Sequence, residues 1–163
     1  MRNVTRLNGA AVGLLLTALS ATALAAGASM PIAGDWRLDD RASRNIPDAM
    51  KGVDLKITLK GNELVTQRLF EGAPVGEPLA VSLDGPPVEK ELAKGQRGTI
   101  EARWKAGGKL LEQIVKMKQQ NLIPIVQTTL VSISDDGKVM TRVQTTDQAG
   151  NATERILVYR RKE

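Results

Sequence analysis

From Leu55 onward the chain falls into short runs in which apolar and polar residues alternate one by one, the period-two pattern of half-buried β-strands. Leu55, Ile57 and Leu59 share one face, Gly61-Asn62 supplies a turn, and 64–70 returns, which predicts a hairpin. Leu79, Val81 and Leu83 alternate next and stop at Asp84-Gly85-Pro86-Pro87, where two prolines break the ladder; from there to Gly98 the chain reads as an exposed connection. Ile100, Ala102, Trp104 and Ala106 then oppose Glu101, Arg103 and Lys105, and Gly107-Gly108 turns the chain. Segment 110–118 fits a helix face as well as a strand. The Gly-Gly turn before it, and the Ile, Val and Thr of 123–134 after it, favour the pleated surface.

Asp135-Asp136-Gly137-Lys138 is the strongest turn signal, because Asp-Gly between alternating runs supplies the positive φ that tight hairpins need. Val139, Thr141, Val143 and Thr145 form the next strand, Gln148-Ala149-Gly150-Asn151 turns again, and 153–161 closes the chain. About nine strands result, within a range of eight to ten, with at most a helical turn near 47–51. The fold class this predicts is all-β, an antiparallel up-and-down barrel with an open β-sandwich as the alternative. A closed meander hides the edges that would otherwise recruit other chains.

The N-terminus follows a different pattern. Arg2 and Arg6 precede an apolar and small run, 9–19, and the small-residue signature Ala23-Leu24-Ala25 follows. Charge, apolar stretch and A-x-A in that order predict a secretory signal peptide over 1–25, cut after Ala25 or, by the repeated pattern, after Ala28. The strongly apolar part is too short for the roughly 20 residues that span a bilayer, so no membrane anchor is expected after cleavage. A lead segment, 26–33, and one barrel domain, 34–163, make up the rest, and the expected location is periplasmic or secreted.

Composition narrows the chemistry. The chain has no cysteine, so neither a lipid-carrying cysteine nor a disulfide is available, and stability must come from a packed core. The 138 residues left after cleavage suffice for one. Without Arg2 and Arg6 there are 21 basic against 18 acidic residues. The bases are spread and mixed with acids, with few aromatics among them, so no nucleic-acid partner is expected. Histidine is absent, which removes the commonest general base, the Ser-His triads and the imidazole metal sites. The acidic pairs Asp39-Asp40 and Asp135-Asp136 are the carboxylates a glycosidase or calcium site could use, but adjacent residues of a strand point to opposite faces and Asp135-Asp136 is accounted for by the turn. The expectation is a non-enzyme with no metal and no cofactor.

Gly34-Asp35-Trp36-Arg37-Leu38 with Ser43, together with Ser134-Asp135-Asp136-Gly137-Lys138 through Leu157-Val158-Tyr159-Arg160-Arg161, resembles the small exported lipocalin-like proteins of bacteria, a calycin-type β-barrel family. The likeness spans most of the mature chain. It implies that Gly34 and Trp36 lie on the first strand, that Trp36 plugs one barrel end, and that Arg160 or Arg161 covers the indole. Such a cation–π contact is worth about 0.5–2 kcal/mol. Either Leu157 with Tyr159 or Ile156 with Val158 can form the core face of the last strand. For a ligand in the lumen, the candidates are Trp104, flanked by small alanines, and Gln113 and Met117 on the next strand. The implied ligand is a small apolar or amphipathic molecule. The competing function is a filled barrel acting as a protein-interaction or envelope-associated module through 85–98.

Overall fold

A computed structural model describes residues 31–93, 95–117 and 123–163. The expected signal peptide, the first part of the lead segment and Lys118 lie outside the described residues. Ten antiparallel strands follow one another in a meander: β1 (Gly34–Leu38), β2 (Val53–Lys60), β3 (Glu63–Phe70), β4 (Ala73–Ser82), β5 (Val88–Ala93), β6 (Gln96–Lys105), β7 (Leu110–Met117), β8 (Ile125–Ile133), β9 (Val139–Gln148) and β10 (Asn151–Arg161). They form one sheet in the order β4-β3-β2-β1-β10-β9-β8-β7-β6-β5. First and last strands pair, Trp36 opposite Arg161 and Leu38 opposite Tyr159, so the sheet curls into a nearly closed barrel.

The barrel stays unzipped between β4 and β5. Pro74 and Pro78 remove two backbone donors from β4, an edge strand where proline is tolerated. At one end the gap is bridged, by the parallel pairing of Leu83 with Ala102 and by the Asp84 amide donating to the Ala102 carbonyl at 2.8 Å. Further along, the Lys90 ammonium donates across the gap to the Ala80 carbonyl.

Two expectations are corrected here. The stretch 85–98 is not an exposed connection, because Val88–Ala93 is β5 and Gln96 already belongs to β6. The prolines end β4, but Val88-Glu89-Lys90-Glu91 has its own alternation, and Glu89 and Glu91 pair in register with Thr99 and Arg97 of β6. In the sequence alone, charge on the outer face of a strand looks like loop. Ala106 does not extend the Ile100 face either: it opens a 3-10 turn over Ala106–Gly108 at φ 49° and is exposed. The helical turn near 47–51 is a 3-10 turn over Asp48–Met50.

Alternation places Trp36, Leu55, Ile57, Leu64, Val81, Leu83, Ile100, Leu111, Val131, Met140, Leu157 and Tyr159 inside, each at most 4% exposed. Gly98 on β6 also faces inward, and it is a glycine for a steric reason. A Cβ there would run into the Lys116 carbonyl oxygen and stand 2.7 Å from Leu92 Cδ1. Gly98→Ala should therefore overpack the β5–β6–β7 wall and lower the melting temperature by roughly 5–10 °C, measured by circular dichroism.

Candidate ligand site in the barrel lumen

The register sorts the inner wall of β6 to β10 into rows that run across the strands. One step from the row of Ile133, Met140 and Tyr159 that adjoins the plugged end, Trp104, Leu111, Val131, Arg142 and Leu157 face one another. The next row is Ala102, Gln113, Thr129, Gln144 and Arg155, and the one beyond it is Ile100, Val115, Gln127, Thr146 and Thr153. Gly98, Met117, Ile125, Gln148 and Asn151 end the wall. The lumen thus passes from an apolar floor through a polar girdle to a mixed mouth.

At the floor, Trp36 is fully buried and its indole Nε1 donates to the Ile32 carbonyl at 2.9 Å. The Arg161 guanidinium sits 4.3 Å from the ring centroid. It is held there by bonds to the Gly137 carbonyl at 2.8 Å, the Ala33 carbonyl at 2.7 Å and the Pro31 carbonyl. Gly34, at φ 147°, leaves the space that this guanidinium occupies. Arg160 points outward and pairs with Asp39 at 2.9 Å, where solvent screens most of the attraction. Arg161, rather than Arg160, covers the indole, because Leu157 and Tyr159 form the inner face of β10 and position 161 shares their parity.

The girdle carries the chemistry. Gln113, Thr129 and Gln144 are buried, at 8%, 3% and 8% exposure. The Gln144 Nε2 donates to Thr129 Oγ1 at 3.3 Å, and the Arg142 Nη2 reaches Gln113 Oε1 at 3.4 Å. Arg155 Nη1 lies 3.2 Å from Met50 Sδ, a soft and weak acceptor contributed by the segment that crosses from β1 to β2. Burial, and then the positive charge of Arg142, hold the Arg155 guanidinium below its ordinary value. No carboxylate occupies an inward position on β7, β8, β9 or β10. Two half-buried guanidiniums therefore lie near one another on the inner wall of β9 and β10, with no carboxylate at the inward positions of β7 to β10.

Room is distributed unevenly. The enclosed space beside Arg142, Gln113 and Thr66 is about 10 Å³, enough for about one water. At the mouth, Ile123, Thr146, Gln148, Ala149, Asn151 and Thr153 line a concavity of about 430 Å³. That is within the range of roughly 300–1,000 Å³ typical of small-molecule sites.

The three residues singled out for a ligand lie on one inner face but not in one place. Trp104 is partly buried near the floor and packs on the core, Gln113 is in the girdle, and Met117 is at the mouth. Six residues separate the levels of Leu111 and Met117, roughly 20 Å along the strand. Only Gln113 meets the charged groups. Arg142, Arg155 and Gln144 were missed by pattern reading, since an arginine in an alternating run looks like an outward residue. The available signal was parity: Arg155 is two residues before Leu157 and four before Tyr159.

Tyr159 is 1% exposed, and burial pushes its hydroxyl above the ordinary 10.0, with the charge of Arg142 pulling the other way. The folded chain holds this proton more tightly than the unfolded one. Stability from this group is thus complete below pH 10 and lost as pH rises towards the folded value. Because Tyr159 is the sole tyrosine, phenolate absorbance reports it alone. The titration should shift upward in the folded protein, and Tyr159→Phe should flatten the alkaline loss of stability.

The fold and the girdle together define a β-barrel with a polar internal site. No family model and no curated protein matches the chain. Solved structures do. The secretary abundant heat soluble protein of Ramazzottius varieornatus aligns with a TM-score of 0.60 at 12% identity, over 83% of this chain and 98% of that one. Apo lipid binding protein 8 of Caenorhabditis elegans aligns at 0.56 and 12% identity, over 80% and 94%. A fatty acid-binding protein from Drosophila melanogaster brain aligns at 0.52 and 16%, over 77% and 95%. The chain has the barrel fold of these calycin-like proteins.

Proposed function

We propose that this chain is an exported, non-enzymatic binding protein that holds a small amphipathic molecule in its lumen, with an anionic head at Arg142 and Arg155 and the tail towards the mouth. The observation that carries this reading is the pair of inward guanidiniums with no carboxylate on the walls they share. An entering anion gains two charge-assisted donors and relieves the repulsion between them. To admit the head, the water-sized space beside Arg142 has to widen by side-chain movement, and the tail points to the 430 Å³ concavity at the mouth. The lipid-binding names of two of the similar structures support the same class of ligand. Export to the periplasm or medium is supported by the charged, apolar and A-x-A order of 1–25, and kinship with the exported bacterial lipocalin-like proteins by the Gly34-to-Trp36 start and the Arg161 cover. Missing histidine and cysteine support a role in binding rather than catalysis.

Calorimetric titration with dodecanoate and with dodecanol tests the reading. The acid should bind more than tenfold tighter than the alcohol of the same length. Equal affinities would remove the anion site. No binding of either would leave the filled-barrel interaction module, which the solid floor of the lumen favours.

A further inference from the structure

One polar atom in the girdle has no partner. Among the described residues, Gln144 Oε1 is the buried side-chain oxygen or nitrogen that no donor or acceptor reaches. Its amide is committed on the other side, through Nε2 to Thr129 Oγ1 at 3.3 Å, and the residue is 8% exposed. With Nε2 committed to Thr129 Oγ1, it is the amide oxygen that is left without a donor. Neither arginine satisfies this oxygen: Arg142 is directed to Gln113 and Arg155 to Met50 Sδ. Buried acceptors are rarely left unmet in folded proteins, and those that are call for an explanation.

Position supplies the explanation. Gln144 is the register partner of Arg155, with side chains roughly 5 Å apart, and lies two residues from Arg142 on β9, roughly 7 Å along the strand. An anionic head gripped by both arginines would carry its first few carbons past Gln144 on the way to the mouth. A plain acyl chain would offer that oxygen only C–H groups. A hydroxyl there would offer a donor.

Resting on the reading that the lumen takes an anionic amphiphile, we infer that the ligand is a hydroxylated acid, with its hydroxyl one to three carbons from the acid carbon donating to Gln144 Oε1. Gln144 is then the residue that selects this class over unsubstituted acids, while Arg142 and Arg155 hold the head common to both. The girdle discriminates because an amide built to receive a hydroxyl is left unpaired by a ligand that lacks it.

The experiment is a competition on the purified, untruncated protein among hexadecanoic, 3-hydroxyhexadecanoic and 12-hydroxyoctadecanoic acids. The 3-hydroxy acid should win by about tenfold, and the 12-hydroxy acid should behave like the plain one because its hydroxyl lies beyond the girdle. Gln144→Met, which keeps length without the amide, should erase the preference for the 3-hydroxy acid over the plain one. Equal binding of the plain and 3-hydroxy acids, or a preference surviving in Gln144→Met, overturns the inference while leaving the anion site standing. Binding of none of the three overturns both. Should Gln144→Met fail to fold, the dependence on hydroxyl position in the unaltered protein decides alone.

Discussion

Arg142→Met should cost this protein its affinity for an anionic amphiphile by roughly 10- to 100-fold while leaving it at least as stable as before. The loss follows from removing one of two charged donors, each worth about 1.5–3 kcal/mol to a bound anion. The stability follows from what the empty site contains. Arg142 and Arg155 lie near one another among buried amides, with no carboxylate on the inner rows of β7 to β10. Methionine keeps the packing of the arginine stem and removes the repulsion, although Gln113 Oε1 loses its 3.4 Å contact. Residues selected for packing do not behave this way, since their loss lowers stability. Dodecanoate titration paired with urea denaturation of both proteins separates the outcomes; a destabilised variant with unchanged affinity would show Arg142 to be a structural residue and end the functional reading.

The second large effect concerns the plug at the floor of the barrel. Trp36→Ala removes a fully buried indole together with its Nε1 bond to Ile32 and the seat of the Arg161 guanidinium 4.3 Å above the ring. Large aromatic truncations of this kind cost about 3–5 kcal/mol, a substantial part of the 5–15 kcal/mol that holds a typical domain together. The Ile32 carbonyl would lose its indole donor, and β1, only five residues long, would lose its buried anchor between β2 and β10. The melting temperature should fall by roughly 10–20 °C. Trp36→Phe should recover part of the loss, because the benzyl ring still fills space and still offers a face to Arg161, but without the donor to Ile32. A drop of under about 2 °C for Trp36→Ala would mean that the plug seals the barrel without stabilising it.

Arg142 lies only two inward rows above the Trp36 plug, and the expected effects of the two variants separate the packed floor from the polar rows above it. The floor, from Trp36 to Met140, is packed with aliphatic and aromatic groups around a space of about 10 Å³ beside Arg142. From the girdle outward, wall residues such as Val115, Gln127 and Thr146 are only half-buried, and the lumen opens to the 430 Å³ concavity. One end supplies stability, and the remaining length can carry unpaired charge.

The local pattern alone was enough for the strands. Alternation at Leu55-Ile57-Leu59, the Gly61 turn at φ 59° and the Gly137 turn at φ 71° settle within a few residues what the chain does, because pleat and turn are short-range properties. That is why the all-β barrel and the helical turn near 47–51 were legible, whereas Trp36 as a plug came from the resemblance to lipocalin-like proteins. Where charge and period disagreed, charge misled, as at Glu89-Lys90-Glu91, whose acids stand on the outer face of β5. What the tertiary structure decided is everything that depends on closure. Which of Arg160 and Arg161 meets Trp36, which face of β10 is inner, and which arginines share a lumen all follow from the register of β1 with β10 and of β10 with β9. A residue's parity can be read from its own strand, but the sign of that parity belongs to the sheet as a whole, since sliding one ladder by a single residue would turn Arg142, Gln144 and Arg155 out to solvent.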